Sequence, residues 1–146
     1  MEIAKDFEEF LQLLNEHKVR YLVIGGYAVA IHARPRFTND LDIFVDAERS
    51  NAERVLAVLK DFGFGDMGIV VDDLTRADQV IQLGYPPLRI DLLTSITGVS
   101  FSEAWERRIT ANYGKQAVFF ISKQDLITNK KGTGRKRDLE DVHDLT

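Results

Sequence analysis

The sequence predicts an α/β domain with a mixed central sheet flanked by helices. Two observations carry this. Short apolar runs of strand length intermix with amphipathic stretches of helical period. The central strands are joined by short turns as often as by helices, which points to a mixed sheet and away from a regular doubly wound one. With 146 residues, 45% hydrophobic and 29% charged, the chain has the length and composition of one globular domain spanning 1–146.

Residues 3–17 place Ile3, Phe7, Phe10, Leu11 and Leu14 at helical spacing. His17 closes that helix and is expected to meet its C-terminal dipole. Tyr21–Ile24 is a wholly apolar run ended by Gly25 and Gly26, the pattern of a buried strand. Tyr27–His32 reads as a helix stopped before Pro35. Leu41–Val45 is the next strand, and Ala52–Phe62 a helix with Gly63 just past its end. Strands are expected at Gln79–Leu83 and Leu88–Leu93, joined across Gly84-Tyr85-Pro86-Pro87. Ser102–Arg107 reads as a short helix capped by Ser102, and Val118–Ile121 as a strand. Ser122 caps a helix through about Asn129, and Asp138–Leu145 forms the last helix, so 122–146 is a basic helical segment. Trp105 and Phe62, Phe64, Phe119 and Phe120 are assigned to the core.

Composition excludes several classes. Without cysteine there are no disulfides, thiolate zinc sites or cysteine nucleophiles, and three dispersed histidines argue against zinc. No apolar run approaches the roughly 20 residues that cross a bilayer, and the acidic N-terminus has the wrong charge for a signal peptide. The expected location is cytoplasmic, with no membrane partner. Net charge is −4, yet Ser122–Arg137 carries six bases against one acid, +5, leaving −9 for the rest. Such a chain is suited to hold a polyanion at one place, not to coat nucleic acid.

Three features carry chemistry. Val23-Ile24-Gly25-Gly26 empties a strand into paired glycines at a helix start, where backbone N–H groups can approach a phosphate; the same glycines also serve as ordinary turn residues. In Asp40-Leu41-Asp42-Ile43 the two acids project from one strand face, roughly 7 Å apart at their α-carbons. Such paired carboxylates suit Mg²⁺, bound through one or two carboxylates plus substrate phosphates, or are simply acids at a solvated strand end. The same parity runs back through Thr38 and Arg36. Asp91, inside the apolar strand Leu88–Leu93, is costly to bury alone. It is a third metal-site carboxylate, a water-exposed strand-end residue, or the partner of Arg89 or another base. His32 is read as a satisfied structural histidine. Asp138 and Asp141, spaced i and i+3 near Arg135, suggest ion pairing.

In combination, Gly25-Gly26, Asp40-Leu41-Asp42-Ile43 and Ile90-Asp91-Leu92 resemble the polymerase-β-like nucleotidyltransferase superfamily. The phrase YLVIGGYAVAIHARPRFTNDLDIFV, from Tyr21 to Val45, is similar to small AbiEii-type nucleotidyltransferase-like proteins. So is the ending from Asn129 to Val142, whose pattern is NK-x-x-x-GR-x-x-D-x-x-D. The resemblance implies a polymerase-β-like fold in which Gly25 and Gly26 cradle the phosphates of a nucleoside triphosphate. It implies that Asp40, Asp42 and Asp91 bind two Mg²⁺ ions and that Asp91 accepts the acceptor hydroxyl's proton. Lys130 and Arg135 fall where the family's basic residues approach the triphosphate, and equally read as a solvated helix end. Arg36 and Thr38 join the phosphate-binding set; Lys131, Lys136 and Arg137 read as surface charge or contacts to a large acceptor. Gly26 stands where many relatives carry serine, so a side-chain phosphate ligand must come from elsewhere.

The expected function is Mg²⁺-dependent transfer of a nucleoside monophosphate to a hydroxyl of an RNA, protein or small molecule. RNA or protein is favoured because the chain has little surplus mass for a private small-molecule pocket. The resemblance implies a toxin–antitoxin or phage-defence setting. The alternatives are an inactive nucleotide-binding or antitoxin-like module of the same fold, and a nucleic-acid adaptor using residues 130–137. No pattern specifies an oligomeric state.

Overall fold

A computed structural model describes residues 3–84 and 88–146. Its elements run α1 (Lys5–Glu16), β1 (Tyr21–Ile24), α2 (Gly25–His32), β2 (Asp40–Val45), α3 (Arg49–Asp61), α4 (Val71–Thr75), β3 (Val80–Leu83) and β4 (Arg89–Leu93). Then follow α5 (Phe101–Glu106), β5 (Ile109–Tyr113), β6 (Gln116–Phe120), α6 (Lys123–Thr133) and α7 (Lys136–Leu145). Among the described residues the strands form one six-stranded sheet in the order β3-β4-β2-β1-β6-β5. β1 is antiparallel to β2 and parallel to β6, β2 is parallel to β4, and the β3–β4 and β5–β6 pairs are antiparallel. The sheet is mixed, as the sequence predicts. The 85–87 part of the expected β3–β4 connection lies outside the described residues.

All of β1 is buried, because it lies inside the sheet with elements packed on both faces. β2 instead alternates at its start: Asp40 and Asp42 are half-buried while Leu41 and Ile43 enter the core. The helices close the core with Phe7, Phe10, Leu11 and Leu14 from α1 and Val55, Val58 and Leu59 from α3.

Several boundaries differ from the sequence reading. α2 begins at Gly25, so the paired glycines are its first turn and not a loop ahead of it. α6 runs past Gly132 to a left-handed cap at Gly134, and α7 starts at Lys136. Gly132 stays helical at close packing, since an added Cβ would stand 2.9 Å from Thr97 Cγ2. The cap position of α5 is Ser100, not Ser102. Neither α4 nor β5 was expected. β5 pairs with β6 through a tight turn at Gly114, φ 59°, and its alternating exposure is the pattern of a half-buried edge strand. His17 caps α1 but places Nε2 2.7 Å from Asp61 Oδ2, joining α1 to the end of α3. Trp105, Phe62, Phe64 and Phe119 pack on the core edge half-buried, and Phe120 alone of the five is fully buried.

The β1–β2 register positions everything that follows, and Asn51 locks it. Its buried side chain accepts from Arg20 N–H at 2.8 Å and donates to the carbonyls of Arg20 and Asp46 at 3.1 and 2.8 Å. These atoms flank the Tyr21↔Val45 pair at the opposite end from Asp42. Replacing Asn51 by Ala leaves the partly buried Arg20 N–H and Asp46 carbonyl without this partner, while the Arg20 carbonyl keeps its bond from Asp46 N–H, and is expected to lower unfolding free energy by about 2–4 kcal/mol in urea titrations. A loss below about 1 kcal/mol would show that the register is fixed elsewhere.

Candidate active site

Register brings the carboxylates together. Asp42 is opposite Ile24 on one side and Asp91 on the other, so its side chain lies next to Gly25 and shares a sheet face with Asp91. Asp40 is likewise opposite Arg89. The glycines are required by this closeness. Gly25 has φ +66°, and an added Cβ would collide with Asp42 Oδ2. At Gly26 a Cβ would stand 3.0 Å from Thr38 Oγ1 and 3.5 Å from Arg36 Nη2. Thr38 and Arg36 therefore face the first turn of α2, and Tyr27 donates to the Thr38 carbonyl at 3.3 Å.

Burial, then the neighbouring charges of Asp91 and Asp40, push the Asp42 carboxyl up to about 6, against the opposing pull of Arg89. Burial raises Asp91 as well, with Arg89 opposing it. Among the described residues Arg89 is the base that contacts Asp91 and Asp40. Its Nη2 is 3.7 Å from Asp40 Oδ2 and donates to Asp91 Oδ2 at 3.3 Å, and its Nε is 3.3 Å from Asp91 Oδ1. Asp91 is 8% exposed, and its Oδ1 has no hydrogen-bond partner. It is thus buried and ion-paired at once, not a water-exposed strand end.

The opposite wall comes from the C-terminal helices. Lys130, 6% exposed, donates from Nζ to Asp138 Oδ1 at 3.1 Å and Asp141 Oδ2 at 2.8 Å. Asp141 Oδ1 accepts from Arg36 Nη1 at 2.7 Å, and Asp138 Oδ2 accepts from Thr133 Oγ1 at 2.6 Å and Arg135 Nε at 2.8 Å. Burial raises both acids. The bonds from Thr133, Lys130 and Arg135 outweigh it at Asp138, and those from Lys130 and Arg36 at Asp141, so both carboxyls end below the usual range. The i, i+3 acids of α7 thereby clasp α6 and the loop carrying Arg36. His32 is satisfied by the Ile121 carbonyl at 2.7 Å.

A cleft of about 740 Å³ runs between these walls, lined by every residue selected above: Gly25, Gly26, Arg36, Thr38, Asp40, Asp42, Asp91, Lys130 and Arg135. Arg89, Thr133, Asp138 and Asp141 also line it. The ion pairs of Asp138 and Asp141 reach Lys130 and Arg36, beyond the helix-face pairing with Arg135 that spacing suggests. Among the described residues no group of three or more His, Cys, Asp or Glu side chains stands ready to hold a metal ion. The half-buried Asp42, the adjacent buried Asp91 and the Asp91 oxygen left without a hydrogen bond still fit a hard cation whose remaining ligands are phosphates.

The chain belongs to the family described as nucleotidyltransferase of unknown function (DUF6036), whose model matches residues 2–146. No curated protein sequence matches it. Its fold is that of solved nucleotidyltransferases. The lincosamide antibiotic adenylyltransferase LnuA, lincomycin-bound, has a TM-score of 0.59 at 18% identity, covering 99% of this chain and 98% of that one. ANT(2")-Ia, in complex with adenylyl-2"-tobramycin, has a TM-score of 0.57 at 13% identity over 95% and 84%. An antigenic nucleotidyltransferase-like protein from Paracoccidioides brasiliensis gives 0.55 at 16% over 98% and 75%.

The raised Asp42 carboxyl has a consequence for the free protein. Its folded-state value of about 6 lies above the ordinary 3.8, so folding takes up a proton between them. Stability from this group is therefore greatest at low pH and is lost as pH rises from about 4 through 6. Asp42→Asn, which cannot ionise, is expected to be more stable than wild type at pH 8, with the gap closing towards pH 4. Denaturation at both pH values checks this; equal stability at pH 8 would contradict the electrostatic account.

Proposed function

We propose that this nucleotidyltransferase moves a nucleoside monophosphate from a nucleoside triphosphate to a hydroxyl of a small-molecule acceptor. The observation that carries the reading is the in-register pair Asp42 and Asp91 beside Gly25, faced across one cleft by Arg36, Lys130 and Arg135.

Gly25 and Gly26, without Cβ atoms in the first turn of α2, let the triphosphate approach the backbone, where free N–H groups and the helix dipole favour negative charge. Arg36, Lys130 and Arg135 outnumber the two α7 acids that hold them, so this wall keeps net positive charge for the leaving pyrophosphate. Their pairing with Asp138 and Asp141 fixes them before substrate arrives, which favours positioning in the transition state. Thr38 supplies the hydroxyl near Gly26 that a serine would otherwise offer. Asp40, Asp42 and Asp91 would hold Mg²⁺, which when bound neutralises phosphate charge and makes the acceptor hydroxyl more acidic. Asp91 is the carboxylate assigned to take the hydroxyl's proton, as it lines the cleft beside Asp42 and burial raises its carboxyl above the ordinary value.

The sheet order supports a place for the acceptor. From β1 and its glycines the strands run to β2, β4 and the edge strand β3. A nucleophile in line with a pyrophosphate leaving on the β1 side therefore approaches over β3, where Val80 and Leu93 pair and line the cleft. The volume suits small-molecule ligands. LnuA, matched over nearly its whole length, is lincomycin-bound, so a chain of this length does not need surplus mass for such an acceptor. This moves the acceptor away from the RNA or protein favoured on size alone. A toxin–antitoxin or phage-defence role rests on the AbiEii-like phrase Tyr21–Val45, and an RNA or protein acceptor would accompany it.

Transfer is tested by pyrophosphate release with Mg²⁺ and each of the four nucleoside triphosphates, against hydroxylated small molecules, RNA and protein. Release is expected with a small molecule, falling at least about a hundredfold in Asp91→Asn. Labelling of RNA or protein alone would contradict the acceptor, and an undiminished Asp91→Asn rate the assignment of the base.

A further inference from the structure

Arg89 lines the cleft among the carboxylates, and the transfer reading does not use it. It lies in the strand that carries Asp91 and opposite Asp40 in the neighbouring one, so its side chain sits on the same sheet face as all three carboxylates. It reaches two of them, Asp40 at 3.7 Å and Asp91 at 3.3 Å. Among the described residues no ion pair reaches Asp42, on which Arg89 acts only at longer range. The guanidinium thus stands where positive charge is needed but compensates the cluster only in part.

Its hold is also loose. A well-formed guanidinium–carboxylate fork has two parallel hydrogen bonds of about 2.7–2.9 Å. Here the contacts are longer, and both Arg89 Nε and Asp91 Oδ1 are buried without a hydrogen-bond partner. An ion pair of this kind is replaceable by a cation that meets the carboxylates better.

We propose that Arg89 is a built-in counter-ion that competes with the divalent cation for Asp40 and Asp91. By this account the free protein binds divalent cation weakly, and the cation enters effectively only with a triphosphate, whose negative charge gives the displaced guanidinium a new partner. Arg89 is a positioning residue: it controls when the carboxylates are open, not the transfer itself. The proposal rests on the transfer reading for the identity of the site.

The test is calorimetric titration of Mn²⁺ alone, as a stand-in for Mg²⁺, into wild type, Arg89→Gln, Arg89→Lys and Arg89→Gln combined with Asp42→Asn. Arg89→Gln is expected to bind Mn²⁺ at least tenfold more tightly than wild type. Arg89→Lys keeps the charge without the fork and is expected to fall between, which covers the case in which the Gln variant does not fold. The double variant is expected to lose the gain. Unchanged or weaker Mn²⁺ binding in both single variants would overturn the proposal, as would a gain that survives Asp42→Asn. Pyrophosphate release by wild type judges the transfer reading separately, so failure of one is not mistaken for failure of the other.

Discussion

Two carboxylates facing each other across adjacent strands are the constraint on which the rest of this structure depends. The parallel β2–β4 register makes Asp42 and Asp91 neighbours on one sheet face, and Asp40 adds a third negative charge one pleat away. No fold gains stability from this arrangement; burial and mutual repulsion raise the carboxyls of Asp42 and Asp91. The surrounding features answer to it. Gly25 lacks a Cβ because Asp42 occupies that space, and Arg89 leans between Asp40 and Asp91 because positive charge is missing there. A cluster kept at such cost is what the proposed site calls for, its counter-charge arriving with the ligand.

The opposite wall solves the reverse problem. Arg36, Lys130 and Arg135 would repel one another and unsettle the loop before β2 if left alone. Asp138 and Asp141 hold them through charge-assisted hydrogen bonds, and Thr133 satisfies a further carboxylate lone pair. Lys130 is buried only because it meets two acids at once. The result is a cleft with fixed negative charge on the sheet and fixed, partly neutralised positive charge on the helices. That polarity matches a substrate that carries cations on one side and phosphates on the other.

Much of this is legible in the sequence because strand parity is local. The i, i+2 spacing of Asp40 and Asp42, with Leu41 and Ile43 between, already states which residues face the core. The glycines after an apolar run likewise state where the backbone must turn. The partnership of Asp42 with Asp91 is not local: it needs the β2–β4 register, which no pattern within either strand contains. The same holds for Asp141, whose spacing from Asp138 shows a shared helix face but not the two cations from α6 and the distant Arg36 loop. β5 and α4 escaped for a different reason. Ile109–Tyr113 is short and half exposed, with its signal divided between a weak alternation and Gly114; Val71–Thr75 is a single turn of helix carrying one buried side chain, Leu74.

The central claim is that the glycines, the three aspartates and the basic wall form one binding site for a nucleoside triphosphate with its divalent cation. Thermal unfolding with each of the four nucleoside triphosphates, with and without Mg²⁺, tests it on wild type and Asp42→Asn together. A ligand at a hundred times its dissociation constant stabilises by about 2.7 kcal/mol, a shift of several degrees for a domain of this size. The account predicts a Mg²⁺-dependent shift with at least one triphosphate in wild type and its loss in Asp42→Asn. An equal shift in both proteins, or no shift with any triphosphate, would contradict it.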